Sequence, residues 1–446
     1  MFFISLQYKK TVQYNRANIL NDITNILYDE DFKHRNTNGG RVFIRNRKLG
    51  FQLLLIFIAK LLRNSIQREL NDFFAKINNE DFSIQQVTKG AFSTARSKLK
   101  YTAFIELSNK SVNSFYQQAP YVRWGEFRVL ACDGSTILLP KSKSIAKDFP
   151  LIGFGRNADC EKSLAKISLV YDVFNQVTLN AKIDAFKVHE TTLFKQQLEE
   201  VDFMDNDLML LDRGYPSVGL LYELLQRNIH FCVRLKDNWW KEVNKMLTNG
   251  ETDKIVKFTL NKKQLSLAKK FNTTQTNFEV RMVVVELGNG KKEILCTSLL
   301  CPFDTTPEDL KWLYHQRWTE EEAYKILKTR IDLANFSGMT SLSIKQDFYA
   351  AIFTMNMCAI LAHPIAEKIR TEKNTKRKHS RKINRTNAIS FISKSWVGIF
   401  IKRKYHQCLE HFDKMLINTT EVVRPNRTFP RNHKQQKPKS MNYKPL

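Results

Sequence analysis

The spacing of apolar positions changes character twice along the chain. Up to about residue 120 they recur at helical intervals between polar breaks, which predicts a set of helices. From Glu126 the period shortens: FRVLACDGSTILLP, AKISLVYDVFNQ and VTLNAKIDAFKVHE predict three strands in a meander, with a turn at Asn175 and Gln176. TTLFKQQLEEVDF then reads as a helix, LMLLDRGYPS as a strand, VGLLYELLQRN as a helix and IHFCVRLK as a strand. A meander followed by strand-helix-strand units predicts an α/β fold with a sheet of mixed direction. After Lys236 the β character continues through KIVKFTL, FEVRMVVVEL and KKEILCTSLL, with a hairpin signal GNGKK at Gly288, and predicts a β-rich insertion at about 237–306.

The stretch PEDLKWLYHQRWTEEEAYKILKTRIDL follows, and its Pro and acidic first turn at Pro307, Glu308 and Asp309 predict one long helix. At about 100° per residue, Tyr314, Arg317, Glu321 and Lys328 stand at roughly 0°, 300°, 340° and 320°, one narrow polar stripe. Leu313, Ala323, Tyr324, Leu327 and Ile331 form the buried side at about 180° to 280°. Glu320 and Glu322 project away from the stripe, which singles out Glu321. A solvated face of i,i+4 ion pairs is the alternative for such a helix. Two aspartates that end apolar runs, Asp133 in ACDGST and Asp212 in LLDRGYPS, change that balance: three acids on separate elements suggest a metal site.

Charge narrows the choice of partner. The 446 residues carry 71 Lys and Arg against 44 Asp and Glu, a net charge of +27 that repels itself unless a polyanion neutralises it. Nucleic acid is the natural partner. Acids of this kind in a very basic α/β protein suggest two-metal phosphoryl transfer, with Asp133 shared and Asp212 and Glu321 each completing one ion. Carboxylate donors without His or Cys fit magnesium, for which manganese can substitute. Arg317 and Lys328 would hold phosphate oxygens, and Tyr314 would hydrogen-bond a phosphate or pack on a sugar. Arg213 and Arg234 are further candidates for DNA contact. The pair His189 and Glu190 reads as a cap at a strand end. Seven cysteines without a CxxC pair suggest a reducing, cytoplasmic setting, and Cys132 reads as core. FQLLLIFIAKLL from Phe51 is too short to span a membrane, and no signal peptide is read before it.

The flanks fit the same partner. FSIQQVTKGAFSTARSKLK reads as two short helices joined near Thr88 and Gly90, a pattern like a helix-turn-helix that puts Arg96 and Lys98 forward as DNA contacts. DFYAAIFTMNMCAILAHPIAEKI from Asp347 predicts a long apolar helix, buried or used for self-association. Basic residues from Lys373 to Arg385, an amphipathic helix from about Trp396 to Leu416 and a tail after Val422 without acidic residues complete the chain. Such a tail builds no core of its own and could lie along phosphates.

The order DGST, DRGY, then Tyr314, Arg317, Glu321 and Lys328 at that spacing resembles the DDE transposases of the fourth insertion-sequence family over roughly residues 120–345. The resemblance implies an RNase H-like catalytic domain at 121–345 interrupted by the β-rich insertion, between a helical DNA-binding domain at 1–120 and a helical, basic region at 346–446. It implies cut-and-paste movement of an element: cleavage at terminal inverted repeats, a hairpin, and strand transfer into target DNA by a homodimer. Well-known members stack a tryptophan of the insertion on a flipped base, yet none lies between Trp240 and Trp312 here. Trp239, Trp240, Trp318, Phe278 and Phe303 are the substitutes available. A DNA-binding regulator without catalysis and a structure-selective nuclease of the same fold are the alternatives.

Overall fold

The computed structural model describes residues 4–5, 14–39, 42–45, 47–154, 160–236, 240–287, 290–372 and 379–424. Helices dominate the first quarter: α1 (Arg16–Leu27), α2 (Glu30–Arg35), α3 (Phe51–Ala59), α4 (Ile66–Asn78), α5 (Lys89–Arg96) and α6 (Thr102–Gln118), with a short pair β1 (Ile4–Ser5) and β2 (Arg123–Trp124). Then come β3 (Arg128–Leu139), α7 (Lys143–Asp148), β4 (Leu151–Phe154), β5 (Cys160–Asp172), β6 (Val177–Ala185), α8 (Glu190–Glu200), β7 (Asp207–Leu211), α9 (Val218–Gln226) and β8 (His230–Leu235). The expected insertion holds α10 (Lys241–Thr248), β9 (Asp253–Thr259), α11 (Leu265–Lys270), β10 (Asn277–Glu286) and β11 (Lys292–Thr297).

These strands form one nine-stranded mixed sheet. Strand β5 runs antiparallel to β3, β6 antiparallel to β5, and β7 and β8 run parallel to β3 and to each other. Strands β11, β10 and β9 then extend the sheet beyond β8 as an antiparallel meander, so the insertion continues the sheet. Parallel β7 is buried along its whole length, as a central strand covered on both faces must be. Its first residue, Asp207, lies opposite Arg128 of β3, and the two form a bidentate pair at 2.6 Å with both side chains buried. Removing either partner of such a pair costs about 3–5 kcal/mol, so it pins the β3–β7 register.

Alternation along those two strands decides where their aspartates point. Val129 and Ala131 of β3, with Leu208 and Leu210 of β7, pack into the core shared with the N- and C-terminal helices. Leu130, Cys132, Met209 and Leu211 pack into the other core, beneath α8 and α9. One step further, Asp133 and Asp212 both turn to the first face. That face carries α12 (Pro307–His315) and α13 (Trp318–Lys325).

The stretch expected as one helix is interrupted. Thr306 and Asp309 form a capping box at the start of α12, but Gln316, Arg317, Thr319 and Glu320 then donate to carbonyls three residues back. This tighter winding turns side chains about 120° per residue and ends α12 before α13 begins. A π-helical segment, Ile326–Arg330, closes α13.

Helix α14 (Ser341–Thr371) is the expected apolar helix from Asp347 and its neighbours. Its most apolar stretch is 83% buried, so it serves as the central strut of the core and leaves no apolar face for self-association at Phe348. Thr354 and Trp396 both donate to the Ala59 carbonyl, tying α3 to α14 and α15 (Arg385–Trp396). The apolar core therefore runs without a break across residues 120 and 345. The amphipathic helix expected from Trp396 breaks at a π-helical turn, Val397–Ile401, before α16 (Tyr405–Asn418), and β12 (Arg381–Lys382) pairs with β13 (Glu421–Val422). Lys373, Lys376, Arg377, Lys378, Trp239 and the tail from 425 lie outside the described residues.

Candidate active site

Asp133 sits in β3 one residue beyond its last pairing with β7, and Asp212 directly follows β7, so both carboxylates stand where the carboxyl end of β7 meets the middle of β3. Glu321 enters from α13. Arg317 joins them: Nη1 donates to Asp133 Oδ2 at 3.1 Å and Nη2 to Glu321 Oε1 at 2.9 Å. The Tyr314 hydroxyl donates to Asp212 Oδ1 at 3.2 Å, and Arg234 Nε stands 3.9 Å from the same oxygen while pairing with Glu293 at 2.9 Å. The acids expected from the sequence are thus drawn together around Arg317 and Tyr314, with the arginine between two of them. Among the described residues no three His, Cys, Asp or Glu side chains are grouped closely enough to hold an ion as they stand.

Solvent reaches the acids and hardly reaches the base: the side chains of Asp133, Asp212 and Glu321 are 23%, 33% and 35% exposed, that of Arg317 only 6%. Burial pushes Asp133 up to about 6; Arg317 and the Gly134 amide oppose this, while Glu190 and Asp212 add to it. Burial works against the charge on Arg317 too, but Tyr314, Asp133, Asp212 and Glu321 outweigh it and hold the guanidinium firmly charged. Lys328 donates to Ser135 Oγ at 2.5 Å, and burial together with neighbouring Lys166 lowers its pKa.

Three residues at the site were not singled out by periodicity. Glu320, set aside because it projects away from the polar stripe, is fully buried on the core side, and its Oε1 accepts the Asp133 amide at 2.9 Å. Tyr324, read only as core, donates its hydroxyl to the Asp133 carbonyl at 2.7 Å. Glu190, read as a cap, pairs with Lys166 at 2.9 Å and fills the space where a side chain on Gly134 would lie, with its carboxyl carbon 2.2 Å from that Cβ position. That contact explains the glycine of DGST. The i,i+4 spacing of Glu320 and Tyr324 was the available signal, and apolar periodicity does not weigh a buried acid.

The expected DNA contacts divide. Trp318 is half exposed beside Arg317 and stacks on His315, and Arg213 is exposed. Lys98 is half-buried at a cavity of about 610 Å³ that Arg45, Arg47 and Lys48 also line. Arg96 is corrected: it is buried, bound to Gln346, Ser337, the Ser343 carbonyl and Asp347, and braces α5 against α14. The helix-turn-helix reading is corrected with it, since residues 82–87 form no helix and only α5 follows. Of the aromatic candidates, Phe278 is buried and Trp240 packs on Phe258, whereas Phe303 is 94% exposed.

A family model described as "Transposase DDE domain" matches residues 124–357, more than half of the chain. The chain is 22% identical over 340 residues to the transposase InsG of insertion sequence element IS4 from Escherichia coli K12, covering 74% of each. Among solved structures it is similar to the piggyBac transposase synaptic complex with hairpin DNA, at 10% identity and a TM-score of 0.48, over 96% of this chain and 89% of that one.

Proposed function

The chain belongs to the DDE transposases of the IS4 family, and on that premise we propose that Asp133, Asp212 and Glu321 are the acids through which it cuts and joins DNA. The observation that carries this reading is the convergence of the three, from elements up to 188 residues apart, on the charged Arg317 and the Tyr314 hydroxyl. An antiparallel meander β6-β5-β3 continued by parallel β7 and β8, with Asp133 inside β3 just past its pairing with β7 and Asp212 just after β7, supports an RNase H-like core at 121–345. The β-rich portion at 237–306 extends it. Residues 1–120 would read the terminal inverted repeats, and 346–446 would add helices and a basic tail.

The donor set fits a hard divalent cation, for it consists of carboxylate oxygens. A guanidinium already bridges Asp133 and Glu321, marking where positive charge is favoured. Asp133 with Asp212, and Asp133 with Glu321, would hold two magnesium ions. Bound magnesium supplies the charge that polarises the attacking water or 3′-hydroxyl and stabilises the leaving oxygen. Arg317, released from the acids, grips the scissile phosphate with its fork, and its Nε has no other partner to surrender. Lys328 adds a point charge and Tyr314 a hydroxyl donor. Each step breaks one P–O bond as another forms: water frees a 3′-hydroxyl, which then attacks the opposite strand and, after reopening, the target. The protein would act in the cytoplasm as a homodimer holding two element ends.

Purified protein should nick and join repeat-ended DNA in magnesium. Asp133→Ala, Asp212→Ala and Glu321→Ala should each abolish both steps while retaining DNA affinity. Cleavage that survives all three substitutions would remove the assigned site.

A further inference from the structure

Asp133 owes its position to more than its strand. It pairs in register with Leu169 of β5, yet its amide donates to Glu320 Oε1 at 2.9 Å and its carbonyl accepts from the Tyr324 hydroxyl at 2.7 Å. The same hydroxyl accepts the Leu169 amide at 3.0 Å, so Tyr324 bridges the two strands at this pair. On α13, Glu320 and Tyr324 are four residues apart and flank Glu321. The helix that supplies one acid thereby grips the peptide of another.

An apolar side chain would fill position 320 at lower cost, since burying a carboxyl is unfavourable unless its oxygens are bonded. Glu320 is 0% exposed, and its second oxygen has no partner. Its one bond goes to Asp133. Tyr324 is buried as well, 5% exposed, with its hydroxyl committed wholly to the Asp133–Leu169 pair. A bond that fixes a backbone does not substitute for packing; it sets orientation.

We propose that Glu320 and Tyr324 are positioning residues: together they clamp the Asp133 peptide to α13 and so fix the separation of Asp133 from Glu321. This rests on the assignment of Asp133 and Glu321 as the acids that hold metal. Outer groups that orient metal ligands are worth about 10–100-fold in metal affinity.

The test is Mn2+ binding to the full-length protein without DNA, followed by electron paramagnetic resonance, with kcat and KM for cleavage measured beside it. Tyr324→Phe, which removes a single oxygen, should weaken Mn2+ binding about 10-fold or more and lower kcat with KM for DNA unchanged. Glu320→Ala should do the same, and Glu320→Gln, which keeps the acceptor oxygen, should restore affinity to within about 2-fold. Wild-type Mn2+ affinity and kcat in both Tyr324→Phe and Glu320→Ala would overturn the clamp, as would a Glu320→Gln variant as weak as Glu320→Ala. Asp133→Ala separates the two levels. If it loses Mn2+ binding while the clamp variants keep it, the clamp alone fails; if it too keeps Mn2+, the metal site fails and the clamp with it.

Discussion

Replacing Arg317 by alanine should make the metal-free protein less stable and more responsive to metal. The substitution removes two charge-assisted bonds, 3.1 Å to Asp133 and 2.9 Å to Glu321, and leaves two carboxylates facing each other without a cation. A fully buried pair broken this way costs about 3–5 kcal/mol. Here the carboxylates are 23% and 35% exposed, so solvent screens part of the loss and about 2–3 kcal/mol is expected. At about 2.1 cal/mol/K per residue the unfolding entropy of 446 residues is about 0.9 kcal/mol/K, so the melting point should fall by about 2–3 °C. Manganese must displace Arg317 in the wild type and displaces nothing in the variant. At a hundred times its dissociation constant a ligand adds about 2.7 kcal/mol, or about 3 °C here, so the variant should regain its loss and show the larger metal-induced shift. Differential scanning calorimetry with and without Mn2+ measures both quantities. A variant that melts like the wild type, or gains no more from Mn2+, would refute the view of Arg317 as a resident cation between metal ligands.

Other substitutions address separate parts of the molecule. Because burial pushes Asp133 up to about 6, above its unfolded value, it gives up a proton as pH rises through about 6, and Mn2+ affinity should climb about 10-fold per unit below that point and level off above it; a flat titration between pH 5 and 8 counts against Asp133 as a ligand. Arg96→Ala should lower stability in urea by about 2–3 kcal/mol, since Asp347, nearly buried, keeps only its bonds from Ser337 while Gln346 and the Ser343 carbonyl lose their donor, without changing the salt dependence of DNA binding. A reduced salt slope would instead return Arg96 to the DNA interface. Trp318→Ala should weaken binding of hairpin DNA by about 10-fold, a stacking contribution within about 1–3 kcal/mol. Unchanged hairpin affinity in competition binding would shift that part to Phe303.

The strands and their aspartates were legible because burial on two faces leaves a simple record. Continuous apolar runs mark β3 and β7, and stepping one residue past each gives the face on which Asp133 and Asp212 emerge. The Tyr314, Arg317 and Glu321 stripe was legible as well, although the tighter winding at Gln316 to Glu320 alters the angles. Polar residues inside the core left no such record. Arg96 and Lys98 look alike in a basic helix, yet Asp347 and Gln346, about 250 positions away, draw only Arg96 inside. An ideal helical wheel puts Glu320 at about 240°, inside the buried arc, but a wheel does not register the hydrogen bond to a neighbouring strand that gives a buried acid its role. The apolar helix around Phe348 had two readings for a related reason: composition records that a face must be covered, and only the packed α3, α6 and α15 reveal that this chain covers it.

The most direct measurement counts manganese ions bound per chain, by electron paramagnetic resonance, in the complex with repeat-ended DNA. Two ions in the wild type, and loss of at least one in each of Asp133→Ala, Asp212→Ala and Glu321→Ala, is the expected result. An unchanged count in those three variants would contradict the assignment of the acids.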